Sequence, residues 1–172
     1  MSCEFEEVVD RCQRDVFSYA CYLLADRSAA EDVAQEAFLR LWRNWESIDV
    51  ERVSAWLVRV TRNLCFDRMR HHKAVGKNFL MAVDGFLEAA PDRGPGPVER
   101  AEAVEFRRCL RSALDELTEP MKSVLILREV LELRYREIAE ALELPLNTVR
   151  VYVHRGRKKL RARLEKEYQV AT

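Results

Sequence analysis

Cationic side chains are concentrated in two segments of this sequence, and the chemistry most open to them is the binding of a polyanion. Residues 150–164 contain no Asp or Glu and carry Arg150, Arg155, Arg157, Lys158, Lys159, Arg161 and Arg163. A second series consists of Arg59, Arg62, Arg68, Arg70, His71, His72 and Lys73. Because the formal net charge of the whole chain is zero and residues 1–50 are acidic, these local concentrations predict two separate contacts with nucleic acid.

The sequence offers little that could perform catalysis or bind a metal. It contains no glycine-rich phosphate loop, and Glu31, Asp32 and Glu36 have only ordinary surface spacing on one helix. The five cysteines are scattered without a CxxC pair, which favours buried thiols over a redox or metal role. His71 and His72 lack a partner at ligand spacing. We therefore expect no enzymatic activity, no cofactor and no metal site.

The elements that position the basic residues are predicted to be helices. Because the chain is 48% hydrophobic and has only five glycines and five prolines, an all-α fold with a packed core is favoured. Apolar spacing predicts three helices in the first part, at about 4–25, 28–45 and 53–71. Ser28 and Glu31 have the spacing of a capping box for the second helix. These helices should form a compact bundle, the first domain, at residues 1–75.

A linker is predicted at residues 76–97, because this segment contains four of the five glycines and three of the five prolines. The second domain is predicted at residues 98–172, with its first helix beginning at Pro97. Further helices are expected at about 118–131, capped by Thr118, and at 135–142 and 146–166. The predicted architecture is therefore two small helical domains, an N-terminal bundle and a C-terminal four-helix domain, joined by a flexible linker.

The last two predicted helices have the form of a helix-turn-helix. Ile138, Ala139 and Leu142 give the first of them an apolar face, and Val149 and Val153 lie four residues apart on the second. A helix anchored in this way can enter the major groove of DNA with its N-terminal half against the base edges. A solvated basic helix at the end of the domain is the less favoured alternative.

Two blocks of sequence resemble the extracytoplasmic-function sigma factors of bacterial RNA polymerase. The C-terminal block is LDELTEPMKSVLILREVLELRYREIAEALELPLNTVRVYVHRGRKKLRARL, and the N-terminal signatures are AEDVAQEAFLRLWRNW and SAWLVRVTRNLCFDRMRHHK. They follow the family's order and cover nearly the whole chain. The resemblance implies a factor that directs core polymerase to specific promoters and initiates transcription, under the control of an anti-sigma factor. Since no apolar run approaches the roughly 20 residues of a membrane span, and the acidic N-terminus lacks the pattern of a signal peptide, we expect a cytoplasmic protein.

The resemblance also implies how the protein binds polymerase. In this family the Glu-Asp-x-x-Gln-Glu-x-Phe helix docks on the clamp helices of the largest polymerase subunit, and polymerase contacts include the flap. Polymerase binding is thereby assigned to Asp32, Gln35, Glu36, Phe38, Leu39 and Trp42. The spacing of Phe38 and Trp42 fits the interior of the bundle equally well, so either residue can instead belong to the core.

Promoter contacts follow from the resemblance as well. The Trp-Leu helix and the basic loop after His71 are expected to capture the unpaired strand of the downstream element, with Trp56, Arg59, Arg62, Asn63, Asp67, Arg68 and Arg70 as contacts. A core position is favoured for Trp56. The helix-turn-helix is expected to bind the upstream element as duplex, with Arg134, Tyr135, Asn147, Thr148, Arg150, Val151, His154, Arg155, Arg157 and Lys158 as contacts.

The chain departs from the family pattern near the helix-turn-helix. The usual Gly and Ser around the first helix of the motif are Glu132 and Arg134, which loses a residue tolerant of left-handed backbone and a hydroxyl cap. The usual Gly before Thr-Val is Asn147, and Ser-Arg in the second helix is replaced by Val151 and Tyr152. Val151 can contact a thymine methyl but cannot make the hydrogen bonds of a serine.

Two other classes of protein are compatible with parts of the sequence. A decoy that sequesters an anti-sigma factor without touching DNA would not need the strongly basic last helix. A dimeric helix-turn-helix repressor would not need the two N-terminal signatures, and no dimerising heptad is visible. Both are therefore less favoured than a sigma factor.

Overall fold

The computed structural model describes residues 2–74 and 97–170, with side chains described at 4–71 and 104–166. Within these ranges every regular element is a helix, so the predicted all-α class is confirmed. The chain divides into two compact units. Apart from Pro97, which begins a helix, the predicted linker at 76–97 lies outside the described residues.

The first unit is a bundle of three helices, as predicted. These are α1 (Ser2–Leu24), α2 (Arg27–Arg43) and α3 (Val53–Ala74), with single 3₁₀ turns at Trp45–Ser47 and Val50–Arg52 between the last two. The helices meet because each carries apolar residues at helical spacing. The residues buried at their junction are Val8, Cys12, Val16, Ala37, Leu41, Val53 and Leu57. Helix α3 extends to Ala74, so the segment directly after His71, which was predicted to be a loop, is helical as far as that residue.

The prediction of a capping box at Ser28 and Glu31 is wrong. Helix α2 begins at Arg27, and its N-cap is Asp26, whose Oδ1 accepts a hydrogen bond of 2.9 Å from the N–H of Ala29. Aspartate is as good a cap as serine, and Asp26 directly follows Ala25, whose φ of 55° turns the chain. Glu31 instead accepts a hydrogen bond of 3.0 Å from Arg27, one turn earlier on the same helix.

The second unit contains α4 (Pro97–Asp115), α5 (Met121–Glu129), α6 (Tyr135–Leu142) and α7 (Leu146–Val170). Helices α6 and α7 are the predicted helix-turn-helix. The predicted cap at Thr118 is wrong, because α5 begins only at Met121 and its N-cap, Pro120, makes no side-chain cap bond. The unit is held by a core that includes Leu114, Leu117, Val124, Leu125, Leu127, Ile138, Val149 and Val153.

The turn between α5 and α6 uses left-handed backbone at a non-glycine residue. Glu132 has a φ of 55°, at the position where the family resemblance expects glycine. Arg128 donates hydrogen bonds to the carbonyl oxygens of Glu132 and Leu133, at 3.3 and 3.1 Å. Helix α6 is capped without a hydroxyl, since Glu137 Oε2 accepts a 2.5 Å hydrogen bond from the N–H of Arg134. Left-handed backbone at Glu132 costs this turn about 1–2 kcal/mol.

Two buried cations share one carboxylate where α4 meets α5. Asp115 accepts a hydrogen bond of 2.9 Å from Arg111 and one of 2.7 Å from Lys122, and both cationic residues are buried. Burial is the largest influence on the pKa of Asp115 and raises it. The hydrogen bond from Lys122 and the charges of Arg111 and Lys122 together outweigh burial. They hold the pKa of Asp115 below the ordinary aspartate value of 3.8. The ionised carboxylate is therefore what makes two buried positive charges tolerable here.

We expect Glu132→Gly to raise the free energy of unfolding of the second unit by about 0.5–1 kcal/mol, because relief of the left-handed backbone exceeds the entropic cost of glycine. Urea unfolding followed by far-UV circular dichroism measures the change. Glu165→Gly, within α7, is the matched control and should lower the same free energy by up to about 1 kcal/mol. A loss of stability in Glu132→Gly would contradict the strain argument.

We expect Asp115→Asn to destabilise the second unit by about 2 kcal/mol at neutral pH, since it removes the carboxylate that the buried Arg111 and Lys122 share. A carboxyl group whose pKa is lower in the folded than in the unfolded protein stabilises the fold at pH values above its ordinary pKa of 3.8. This stabilisation is lost as the pH falls through the pKa of the folded protein. The wild-type protein should therefore lose stability below about pH 4, and Asp115→Asn should lose less over the same range.

The measurement for Asp115 is hydrogen exchange of the α5 and α7 amides between pH 2 and pH 7. Tryptophan fluorescence provides an internal control, because Trp42, Trp45 and Trp56 are the only tryptophans and all lie in the first unit. Asp10→Asn, at an exposed position of α1, should behave as wild type. A variant Asp115→Asn with unchanged protection at neutral pH would remove Asp115 from this role.

Candidate nucleic-acid interface

Helix α7 presents one face to the core of the second unit and the opposite face to solvent. Val149 and Val153 are 0% and 1% exposed, so the predicted anchoring of this helix is confirmed. In α6 the buried residues are Ile138 and Ala141, whereas the predicted Ala139 and Leu142 are half-buried. The exposed face of α7 is consequently determined by the packing of its two valines.

The residues predicted to contact the upstream element lie on α7 or at the start of α6. Tyr135 and Thr148 are half-buried, and the others are exposed, namely Arg134, Asn147, Arg150, Val151, His154, Arg155, Arg157 and Lys158. Arg150 Nη1 donates a hydrogen bond of 3.4 Å to Asn147 Oδ1, one turn earlier in the helix. The first three turns of α7 therefore offer guanidinium, amide and imidazole groups, which suit base edges and phosphates in a major groove.

Arg157 makes a contact that the sequence did not indicate. Its Nη2 and Nε lie 2.7 and 2.9 Å from Glu129 Oε1, at the end of α5. This ion pair joins α5 to α7 and partly neutralises the guanidinium. The assignment of Arg157 to a phosphate contact competes with this intramolecular role, whereas Lys158 next to it is simply exposed.

Gly156 is a positioning residue that sequence reasoning missed. It is buried, and a Cβ atom added to it would lie 3.2 Å from Leu125 Cδ2 and 3.5 Å from Met121 Cγ of α5. The absence of a side chain thus allows α7 to approach α5 closely. The available signal was its spacing, since Gly156 follows Val149 by seven residues and Val153 by three and so lies on the same helix face.

Arg128 is a second positioning residue that was missed. Besides its bonds to the carbonyls of the α5–α6 turn, its guanidinium lies 5.4 Å from the centre of the Tyr135 ring. Tyr135 is the first residue of α6. Arg128 therefore ties the end of α5 to the start of the helix-turn-helix, through contacts that no local pattern in the sequence could reveal.

An apolar groove of about 810 Å³ lies between α1 and α2 in the first unit. Four of the six residues predicted to bind polymerase line its α2 side: Gln35, Phe38, Leu39 and Trp42. Its α1 side, to which the sequence analysis assigned no partner, consists of Phe5, Val9, Gln13 and Phe17. The remaining two predicted residues are Asp32, which is exposed, and Glu36, which is half-buried.

The structure separates the two aromatic residues whose role was left open. Trp42 is 53% exposed, with its ring in edge contact with Phe5 at a centroid distance of 4.9 Å. Phe38 is half-buried and packs against the core of the bundle. Leu39, which lies between Phe38 and Trp42 in the sequence, is 50% exposed. Exposed apolar groups on one groove are typical of a surface that binds another protein.

Helix α3 carries all the residues predicted to contact the downstream element. Asn63, Asp67 and Arg70 are exposed, and Trp56, Arg59, Arg62 and Arg68 are half-buried. Trp56 packs against the core of the bundle, in agreement with the favoured interpretation. The guanidinium of Arg62 lies over the Phe66 ring, 4.7 Å from its centre. Surfaces that bind unpaired strands commonly combine cationic and aromatic groups.

Ion pairs orient two of the basic residues on α3. Arg68 donates a hydrogen bond of 2.9 Å to Asp32 of α2, so a predicted DNA contact and a predicted polymerase contact are joined. Arg70 pairs with Asp67, one turn earlier on the same helix. Neither pair is buried, and each is therefore worth no more than about 1 kcal/mol.

The four cysteines whose side chains the structure describes are buried. They are Cys12, Cys21, Cys65 and Cys109, as the sequence favoured. Burial raises the pKa of Cys21 to about 11 and that of Cys65 to about 12, so both thiols are poor nucleophiles at neutral pH. Among the described residues, no cluster of three His, Cys, Asp or Glu could hold a metal, and no helix is long and apolar enough to span a membrane.

Comparison with known proteins identifies both units. The family description "Sigma-70 region 2" matches residues 8–75, and "Sigma-70, region 4" matches residues 107–160. The ECF RNA polymerase sigma factor SigW of Bacillus subtilis is 30% identical over 93% of this chain and 88% of its own length. The protein belongs to the extracytoplasmic-function sigma factors. As a sigma factor it binds core RNA polymerase and directs it to specific promoters, where transcription is initiated.

Two solved structures have the same fold as this sigma factor. The sigma factor RpoE of Bartonella quintana, solved with the anti-sigma factor NepR, has a TM-score of 0.72 at 20% identity, over 94% of this chain and 96% of its own. CnrH, solved with the cytosolic domain of CnrY, has a TM-score of 0.68 at 21% identity, over 94% and 88% of the two chains. These likenesses support the all-helical fold of both units.

We expect Lys158→Gln to weaken promoter binding and to lower the magnitude of its salt slope by about one, since one phosphate contact contributes about 0.9 to the slope. Arg157→Gln should change the slope less, because Arg157 is already paired with Glu129. The measurement is holoenzyme binding to upstream-element duplex over a series of KCl concentrations. Equal flattening of the slope by both variants would show that Arg157 leaves its intramolecular partner on binding DNA.

Proposed function

We propose that the two units of this sigma factor divide promoter recognition between them. The first unit binds polymerase through α2 and captures the unpaired downstream strand with α3, and the second binds the upstream element as duplex with α7. The observation that carries the proposal is the orientation of α7. Its valines are buried, while Arg150 and Arg155 are exposed to solvent.

The proposed domains are residues 1–75 and 98–172, with a linker at 76–97. The matched family segments, 8–75 and 107–160, support a boundary in this interval. Melting is driven by the binding energy of strand capture, without nucleotide hydrolysis. Proteins of this family are transcription initiation factors rather than catalysts, and we infer that this chain has no enzymatic activity of its own and acts in the cytoplasm.

The proposed polymerase surface is the groove between α1 and α2. Leu39 and Trp42 are exposed apolar residues on its rim, and Asp32, Gln35 and Glu36 give that side of α2 polar groups. The clamp helices of the largest polymerase subunit are the proposed occupant, and the flap is the proposed partner of the second unit. A half-exposed leucine that becomes fully covered is expected to contribute measurably to binding.

Control by an anti-sigma factor is also proposed. Both likenesses among solved structures were determined as complexes, one of them with a protein named as an anti-sigma factor. The same apolar groove that suits polymerase would suit a competing helix, because an amphipathic helix buries its apolar side in such a groove. An anti-sigma factor would then keep the protein silent by covering the surfaces that polymerase and DNA require.

The test is in vitro transcription with sigma-free core polymerase and a pool of promoter fragments from the source genome. We expect selective initiation that depends on this protein, and the initiating fragments then define the upstream element. Leu39→Ala should reduce core binding roughly three- to tenfold, whereas Arg43→Ala, exposed on α2 but outside the groove, should bind as wild type.

Other outcomes would change the assignment. Core binding without initiation from any fragment would contradict the proposed promoter role while preserving the polymerase surface. Absence of core binding, together with tight capture of an anti-sigma domain, would instead indicate a decoy. Equal core binding by Leu39→Ala and wild type would move the polymerase surface away from the groove.

A further inference from the structure

Val151 is an apolar side chain on the polar surface of α7. It is 42% exposed, whereas Val149 and Val153 on either side are 0% and 1% exposed. Residues two positions apart on a helix are separated by about 200° around its axis, which places Val151 opposite the two anchoring valines. One helical turn away from it lie Asn147 and Arg155, which are both exposed. Val151 therefore contributes little to the core of the second unit.

Helix stability does not explain a valine at this position. Branching at Cβ restricts the side chain against the preceding turn, and valine is a weaker helix former than alanine or arginine. An exposed valine also leaves apolar surface in water. A binding partner that buries its methyl groups would give this valine a role that the packing of the second unit does not.

The position of Val151 indicates what that partner is. Helix α7 begins at Leu146, so Val151 lies in its second turn, within the N-terminal half that meets base edges when such a helix enters a major groove. The base edges in that groove carry hydrogen-bonding groups, with one apolar exception, the C5 methyl of thymine. Valine has two methyl groups and nothing that could bond to the other base edges.

We propose that Val151 is a specificity-determining residue that contacts the C5 methyl group of a single thymine in the upstream promoter element. The proposal rests on the proposed role of α7 in binding that element as duplex. Arg150 and Arg155, on either side of Val151, hold the helix against phosphates or guanines, and the valine selects thymine between them. A different base at this position would leave the valine methyl groups without an apolar partner.

The experiment replaces each thymine of the upstream element, one at a time, with deoxyuridine, which removes only the C5 methyl group. Holoenzyme with the full-length protein is titrated with a promoter duplex obtained from the transcription selection. We expect one substitution to weaken wild-type binding about three- to fivefold, the effect of one buried methyl group. Val151→Ala should bind unmodified promoter with a similar loss and should not respond to deoxyuridine at that position.

Val104→Ala is the matched control, because Val104 is also an exposed valine, 37% accessible, but lies on α4. It should respond to deoxyuridine as wild type does. Since Val151 is exposed, its replacement should leave the helix content of the protein unchanged, which circular dichroism checks. Val151→Ser should lose the thymine preference as well, because serine has no methyl group to place against the base.

Three results would overturn the inference. The first is that no deoxyuridine substitution weakens binding by the wild-type protein. The second is an upstream element that contains no thymine. A deoxyuridine effect that persists in Val151→Ala would assign the methyl contact to another residue. Failure of the underlying proposal is distinguishable from these, because scrambling the entire upstream element would then leave wild-type binding unchanged.

Discussion

Helix α7 lies against α5 at Gly156, and the arrangement of the second unit depends on this contact and on two valines buried on the same face of α7. Val149 and Val153 are buried, and Gly156 allows the backbone of α7 to approach Leu125. Burial of these residues fixes the rotation of α7 about its own axis, since a helix that rotated by one residue would expose its valines and bury charge. Every side chain on the solvent face takes its direction from that constraint.

The packing of the helices determines where the charged side chains lie, and the charges do not determine that packing. Several cations are paired with carboxylates on neighbouring elements: Lys122 with Asp115, Arg68 with Asp32, and Arg157 with Glu129. Arg111 pairs with Asp115 within α4. The pair of Lys122 with Asp115 joins the start of α5 to the end of α4, while the exposed pairs mainly orient side chains. A chain with zero net charge can bind DNA because its packing collects cations on particular faces.

Much of the fold could be predicted because its signals are local. The spacing of apolar residues located three helices in the first unit and the helix-turn-helix in the second, and it identified Val149 and Val153 as anchors. Local signals failed where two of them competed, as at the start of α2. Asp26 and Ser28 are both good caps, and the left-handed turn at Ala25 favours Asp26.

The sequence by itself determined the class of the protein, the order of its helices and the residues available for binding, because residue type and helical period are properties of short segments. Only the tertiary structure decided which of those residues are exposed and which are paired. Glu129 and Arg157 are 28 positions apart, and Phe5 and Trp42 meet between two helices. Such contacts depend on how whole helices pack, and helix packing is the sum of many weak interactions that no single segment contains.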